Sequence, residues 1–426
     1  MILNIKNIGK FESAKIDIKG LTVIAGINST GKSTISKVLY CMLNGFLFDE
    51  NEYIKDKRKS LVGCISRLFT RRYFGEYYDF IGEFADRVIS KLLKVKQASV
   101  EAVSFVIYNE MKKFGEEKAI EVSMTDLKEN IDEIVNDVVD ILNVNANSFI
   151  GMKLLRVFGA EFKGQILNIN IEDKIGEIQL SIKGKELKVV FGEDGLSGIS
   201  APFFIKNQTA YLDDPYVIDD PYRYRKTGLV SRFNHRDVLC RLIMKDRSDS
   251  IIDGFMWNEK SSKILNKIKK VCNGELKKME NGRLTFLEGN NKRGLDVVNV
   301  STGMKTFIIV NQLLKNGVIL ENGTLILDEP EIHLHPSWQL VLAEILVLFQ
   351  KEFNLHILLT SHSPYFINAI QVYSGVYDIN DTCKFYHVTS KNDYSIVEDV
   401  TNNVENIYAE MAKPFQYLED VKYNGQ

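Results

Sequence analysis

The octapeptide Gly26-Ile-Asn-Ser-Thr-Gly-Lys-Ser constrains this chain more than any other stretch, because of what flanks it. Upstream, Leu21–Ala25 is an apolar run of strand length, and from Lys32 to Leu43 apolar residues recur at helical spacing. A glycine-bounded loop between a strand and a helix lets the backbone wrap closely around an anion, since glycine has no β-carbon to hold it off. The helix that follows points its first unbonded N–H groups into the same space. The pattern GxxxxGK[ST] therefore predicts a phosphate cradle formed by Gly26, Asn28, Ser29, Thr30, Gly31 and Thr34. Lys32 is placed to reach the β- and γ-phosphates of ATP, and the Ser33 hydroxyl to ligate Mg2+. The plainer alternative, a glycine-rich turn with a chance lysine, fits the strand–loop–helix context poorly.

A second apolar run, Thr324-Leu-Ile-Leu, ends in Asp328-Glu-Pro-Glu. A buried strand that ends in a carboxylate is the Walker B arrangement: Asp328 would hold magnesium, directly or through water. Glu329 would then act as the base for, or orient, the attacking water. Upstream of this run, Val300-Ser-Thr-Gly-Met-Lys precedes a helical pattern; downstream, Leu358-Leu-Thr-Ser-His-Ser-Pro runs from an apolar strand to His362.

In order and spacing these segments resemble the signature motif and switch histidine of the ABC ATPase superfamily. Ser301-Thr-Gly-Met-Lys is closer to the variants of SMC, RecF and OLD-type ATPases than to the LSGGQ of transporters, and Glu329-Pro-Glu-Ile-His-Leu-His-Pro resembles the EPExxLHP continuation of OLD-like bacterial ATPases. The resemblance covers residues 1–45 and those after 160. It implies an α/β P-loop NTPase head of ABC type, a mixed sheet flanked by helices with an antiparallel β subdomain and helical insertions. It also implies a homodimer or higher homo-oligomer in which Ser301 and Gly303 face the γ-phosphate held by the opposite protomer, with His362 against the γ-phosphate at the catalytic Glu329. Gln208, after the apolar run Phe203–Lys206, is the candidate magnesium-sensing glutamine.

Within the superfamily the chain looks like the small AAA-type ATPases of prokaryotic antiviral systems, such as the ATPase subunits of PARIS and Septu and the head of OLD nucleases. That likeness implies a sensor ATPase that controls a separate nuclease effector. The chain after the last head helix is expected to be too short for a Toprim nuclease, and Asp378 and Asp381 do not make its acidic pattern. The alternative is a DNA-repair or chromosome-maintenance ATPase that clamps DNA. Energising transport, or regulation with little hydrolysis, are further readings, the first disfavoured by the missing LSGGQ.

The remaining signals set boundaries. Residues 1–48, 161–214 and 281–426 are expected to form the head, 49–160 a helical insertion and 215–280 a second helical lobe. In the insertion Val88, Leu92, Val95, Leu127, Ile131, Ile134, Val138 and Ile141 recur at helical spacing. Strand-like alternation is read at Ile166–Ile171, Ile178–Ile182 and Leu187–Val189, and Ala201–Leu212 as a further strand. With 54 Lys and Arg against 56 Asp and Glu, no whole-molecule preference for nucleic acid is expected. Two basic stretches, Tyr222–Lys226 continuing through Arg232, Arg236, Arg241 and Lys245, and Lys55–Lys59 with Arg67, Arg71 and Arg72, are read as solvated faces, with DNA contact as the alternative. His333 and His335 with Glu331 lack an evident third partner for a metal site. Cys41, Cys64, Cys240, Cys272 and Cys383 are scattered, which fits a reducing, cytoplasmic compartment, and no apolar run is long enough to span a membrane.

Overall fold

The computed structural model describes residues 1–68, 81–95, 97–118, 124–171, 175–220, 233–245, 251–279, 283–289 and 293–424. Strands buried on both faces read as continuous apolar runs, and three of them form the centre of the main sheet: β3 (Leu21–Ala25), β11 (Thr324–Asp328) and β12 (His356–Ser361). With β7 (Thr209–Leu212), β13 (Cys383–Lys391) and β14 (Tyr394–Asp399) they are ordered β14-β13-β3-β12-β11-β7. All neighbours are parallel except β13 and β14. Ala25 pairs with Ser361, Asp328 with Thr360 and Leu327 with Leu212, so β3, β12, β11 and β7 finish along one edge. In sheets of this kind ligand sites form at that edge. Helix α1 (Lys32–Gly45) packs on β7, β11 and β12, and α10 (Pro336–Phe353) packs on β3 and β12.

A second, antiparallel sheet is ordered β2-β1-β4-β5-β6, from β1 (Ile2–Ile8), β2 (Phe11–Asp17), β4 (Gly176–Ile182), β5 (Lys185–Gly192) and β6 (Gly195–Ser200). A small antiparallel sheet joins β8 (Gly274–Lys278), β9 (Leu284–Glu288) and β10 (Leu295–Asp296). Parallel sheet, strand–loop–helix at Gly26–Ser33 and antiparallel subdomain together have the α/β fold expected of an ABC-type P-loop head. Two expected strands are corrected. Residues 166–171 contribute one bridge, Leu167 to Ile8, and Ile169 is 90% exposed. On that side β4 already takes Ile2–Lys6 of β1, so only the Ile8 end is left for them. Of Ala201–Leu212 only Thr209 onward is strand, with Ile205 bridging Leu47.

The chain divides into two units, Met1–Leu47 with Lys153–Gln426, and Phe48–Met152. The second is helical: α2 (Glu50–Arg67), α3 (Ile81–Leu92), α4 (Val100–Lys118), α5 (Met124–Asn143) and the start of α6 (Ala146–Phe162). Its core gathers Leu61, Ile65, Phe84, Val88, Leu92, Ile107, Phe114, Ile131, Ile134 and Val138, while Val95 is half-buried in the turn after α3. Inside that core Glu110 is buried and paired with Arg87 and Lys91, as a buried charge must be. Residues 215–280 fold in the same unit as the main sheet: α7 (His235–Ile243) lies on β7, and α8 (Ile251–Val271) against α9 (Thr302–Lys315) and α10. After α11 (Pro364–Val376) and the β13–β14 pair, α12 (Glu405–Asn424) packs on α11.

Several described basic side chains of the two stretches have partners within the chain. Arg236 grips Asp213, Arg58 pairs with Asp86, Arg67 with Asp137, and Lys57 donates to the carbonyls of Leu142 and Val144. Tyr222–Lys226, Arg232, Arg71 and Arg72 lie outside the described residues. Among the described residues no helix is long and apolar enough to cross a membrane.

Under the main sheet sits a buried charged cluster. His235, at the start of α7, faces Glu161 of α6 through Nδ1 at 2.8 Å and Asp213, just past β7, through Nε2 at 3.0 Å. Burial alone would lower the His235 pKa, but Asp213 and Glu161 outweigh it and raise it to about 9. Burial likewise opposes ionisation of Asp213, yet His235 and Arg236 hold it down to about 2. The His235 contribution to stability is complete below its ordinary value of 6.5 and is lost as pH climbs through about 9. The Asp213 contribution is complete above 3.8 and is lost as pH falls toward about 2. The cluster is thus strongest between these limits. Thermal melting between pH 6.5 and pH 9.5 checks this: the unaltered chain should lose stability on the order of 3 kcal/mol that a His235→Gln variant, less stable at neutral pH, does not lose.

Candidate nucleotide-binding site

The loop Gly26–Ser33 leaves β3 and enters α1, and its conformation demands its glycines. A β-carbon at Gly26 would stand 2.3 Å from the Val388 carbonyl oxygen, and Gly31, at φ 89°, lies against the Phe11 ring. Ser29 adopts a left-handed backbone, φ 64°, held by Lys10, whose Nζ donates to the Ser29 carbonyl at 2.8 Å. Thr30 donates to the Ile27 carbonyl, Asn28 is exposed, and the Thr34 side chain rests on Gly9. Helix α1 has no side-chain cap and no acidic residue in its first turn, so its dipole end is open to an anion. Lys32 is buried, with Nζ donating to the carbonyls of Gly26 at 2.9 Å and Ile27 at 3.0 Å and standing 3.4 Å from Glu329 Oε1.

At the end of β11, Asp328 is surrounded by hydroxyls. Thr360 of β12 donates to Oδ1 and Tyr211 of β7 donates to Oδ2 at 3.2 Å, and the nearby Ser33 hydroxyl acts on the same carboxylate. Burial pushes the Asp328 pKa up, and these hydroxyls pull against it. Burial pushes the Tyr211 phenol far above its ordinary range, which keeps it a donor. Glu329 has a left-handed backbone, φ 49°, uncommon for a residue with a β-carbon, and its N–H is bonded to both the carbonyl and the hydroxyl of Thr360. His362, first after β12, stands with Nδ1 3.4 Å from Glu329 Oε1. That neighbour raises the His362 pKa, and in return His362, with Lys32 behind it, holds Glu329 below the usual carboxylate range. Glu329 is therefore kept as an anion, the form that can accept a proton. Behind it Glu331 is buried, accepting from the Ser361 hydroxyl at 2.5 Å and the His362 N–H at 3.3 Å.

The donor set fits a nucleotide with magnesium. Octahedral Mg2+ with oxygens at about 2.1 Å places adjacent ligands about 3 Å apart, the separation of hydrogen-bonded oxygens. The Ser33 hydroxyl and the Asp328 carboxylate supply the hard oxygen donors that this ion takes, and Ser33 lies near enough to lower the Asp328 pKa. Gln208 is not among these donors: it precedes β7, whose Thr209 pairs with Thr324 at the start of β11, so it lies at the opposite edge of the sheet from Asp328. Four residues of strand, about 13 Å, separate the two edges. The magnesium role for Gln208 is thereby corrected; the residues that leave β7 at the correct edge are Asp213 and Asp214.

Ser301 and Gly303 lie elsewhere. Ser301 caps α9 without using its side chain, and with Thr302, Gly303, His333, His335 and Trp338 it lines a hollow of about 330 Å³. A β-carbon at Gly303 would meet the His333 carbonyl oxygen at 2.8 Å, so this glycine permits the close approach of α9 to the segment after β11. The helix is anchored by Lys305, buried, with Nζ 2.6 Å from Asp219, and by Tyr216, whose hydroxyl is 2.8 Å from that of Thr302. His335 caps α10 and meets the Ser337 hydroxyl at 2.8 Å, and His333 packs edge-on against Tyr216. Sequence reasoning missed Tyr211, Thr360, Asp213 and His235, and weighed Glu331 only as a metal ligand. Their partners come from distant segments, and only Thr360, two residues before His362, carried a positional signal.

A family model described as "AAA domain, putative AbiEii toxin, Type IV TA system" matches residues 186–368, a span that holds Ser301, Asp328, Glu329 and His362 but not the Gly26–Ser33 loop. "Retron Ec83 probable ATPase" of Escherichia coli is 29% identical over 104 residues, 22% of this chain. The chain spans 19% of the length of that relative. Solved structures of similar extent include an SMC head domain from Thermotoga maritima, 12% identical with a TM-score of 0.38, covering 94% of this chain and 98% of that one. An SMC head bound to the C-terminal winged-helix domain of ScpA is 13% identical with a TM-score of 0.40, over 93% and 96% of the two chains. The SMC head of Pyrococcus furiosus with an extended coiled coil, bound to the C-terminal domain of ScpA, is 11% identical with a TM-score of 0.41, over 99% and 98%. Strand order and loop geometry, not these distant likenesses, identify the fold.

Proposed function

We propose that this chain is an ABC-type ATPase that binds ATP-Mg2+ at its Gly26–Ser33 loop and hydrolyses it when two heads close on each other. One observation carries the reading: Lys32, Ser33, Asp328, Glu329 and His362, distant in sequence, converge at one sheet edge beside an uncapped helix N-terminus. On nucleotide binding Lys32 exchanges the Gly26 and Ile27 carbonyls for phosphate oxygens. Ser33 and Asp328 would hold a magnesium ion, whose charge would offset that of the phosphates. Released from Lys32, Glu329 is free to take a proton from the attacking water, and His362 orients it. Ser301 and Gly303, in a separate hollow, serve the nucleotide of a second copy through the start of α9.

At the level of biology the chain fits the regulatory or sensor ATPase of an anti-phage system with a separate nuclease effector. The supports are the match to a domain described as a toxin–antitoxin component and the likeness to a retron ATPase. The DNA-clamping alternative draws less support, because Arg58, Arg67 and Arg236 of the basic stretches are paired with the chain's own carboxylates.

Lys32→Ala should weaken ATP binding at least 100-fold, the loss of a buried charge-assisted contact, as read by calorimetry; unchanged affinity would remove the loop from nucleotide binding. Glu329→Gln should bind ATP normally, turn over roughly 10²–10⁴-fold more slowly and accumulate as an ATP-dependent dimer in mass photometry. A variant that hydrolyses at the parental rate excludes Glu329 as the base.

A further inference from the structure

Tyr211 belongs to no motif, yet it is fully buried between the site and the charged cluster beneath it. Its hydroxyl bonds Oδ2 of Asp328 while Thr360 occupies Oδ1, so the two hydroxyls together fix the rotation of the carboxylate. Each carboxylate oxygen keeps a further lone pair for Ser33 or a cation. The Tyr211 ring is held from two directions. It stacks on His235 with centroids 4.3 Å apart and planes 27° apart, and it meets Tyr40 of α1 at 5.7 Å. His235 in turn is hydrogen-bonded through Nδ1 to Glu161 at 2.8 Å and has Asp213 3.0 Å from Nε2 as an ion-pair neighbour, with Tyr40 edge-on at 5.9 Å. Arg236 closes the far side of Asp213 at 2.8 Å.

We propose that Tyr211 is a positioning residue that aims the Asp328 carboxylate at the divalent cation, and that His235, clamped between Glu161 and Asp213, holds the Tyr211 ring in place. The inference rests on the reading of Asp328 as the cation ligand. Outer-shell partners of metal-binding carboxylates act in this way, and their loss costs roughly 10–100-fold in metal affinity.

The test uses Mn2+ as the probe. Free Mn2+ is followed by electron paramagnetic resonance as the full chain is titrated in the presence of a non-hydrolysable ATP analogue. Binding of the analogue in EDTA and the melting temperature are measured in parallel. Tyr211→Phe keeps the ring and removes only the hydroxyl. It should weaken Mn2+ binding about tenfold or more, with metal-free nucleotide binding unchanged and only a modest fall in melting temperature. His235→Gln, although less stable, should also weaken Mn2+ binding, and in Mn2+ affinity the double variant should be no worse than the more affected single one, because both act on one contact. Tyr211→Phe stands alone if His235→Gln does not fold. Mn2+ affinity unchanged in Tyr211→Phe overturns the proposal, as does an equal loss of metal-free nucleotide binding accompanied by a lower melting temperature. If the unaltered chain binds the analogue in EDTA but takes up no Mn2+ with it, the assignment of Asp328 falls first and this inference with it.

Discussion

A carboxylate buried at the end of a parallel strand is costly unless each oxygen is bonded, and the architecture around Asp328 answers that cost. Thr360 comes from β12 on one side of β11 and Tyr211 from β7 on the other, so both neighbouring strands must be in register for Asp328 to be tolerated. Ser33 arrives from α1, which crosses the same strands. Strand pairing, helix packing and the chemistry of the candidate site therefore rest on one group. The same hydroxyls that satisfy the carboxylate also orient it.

Around this anchor, charge is arranged in two layers. At the surface of the edge, Lys32, Glu329 and His362 hold one another, and the left-handed turn at Glu329 is fastened by Thr360. Deeper, His235 lies between Glu161 and Asp213, and Tyr211 connects the layers. The short segment after β7 links this assembly to the start of α9. Asp213 belongs to the buried cluster, while Tyr216 and Asp219 grip Thr302 and Lys305. A few residues thus touch both the Asp328 edge and the hollow at Ser301.

Local signals were legible wherever they had a local cause. The strand, loop and helix around Gly26–Ser33 declare themselves through apolar runs and glycines, and the order of elements from Val297 onward follows from alternating buried strands and helical periods. Legibility failed where pairing is non-local. Ile166–Ile171 alternates as a strand should, but β4 already takes Ile2–Lys6 of β1 and only the Ile8 end is left. Gln208 looked well placed as a residue following an apolar run, yet the strand next to it starts after it, at Thr209, and runs toward the site edge, which leaves Gln208 at the far end. Tyr211 and His235 showed nothing, because a lone tyrosine in a strand and a lone histidine at a helix start are ordinary residues until their neighbours are known.

The sequence by itself determined the phosphate loop, the acidic end of β11, the histidine after β12 and the alternation of buried strands with helices, since each depends on residues close together in the chain. Tertiary structure alone decided which strand ends share an edge, that Asp328 is gripped from two sides, that Asp213 rather than Gln208 stands at the correct edge, and that His235 is held between two carboxylates. Those facts follow from the register and order of parallel strands joined by long crossovers, which no local pattern of side chains encodes.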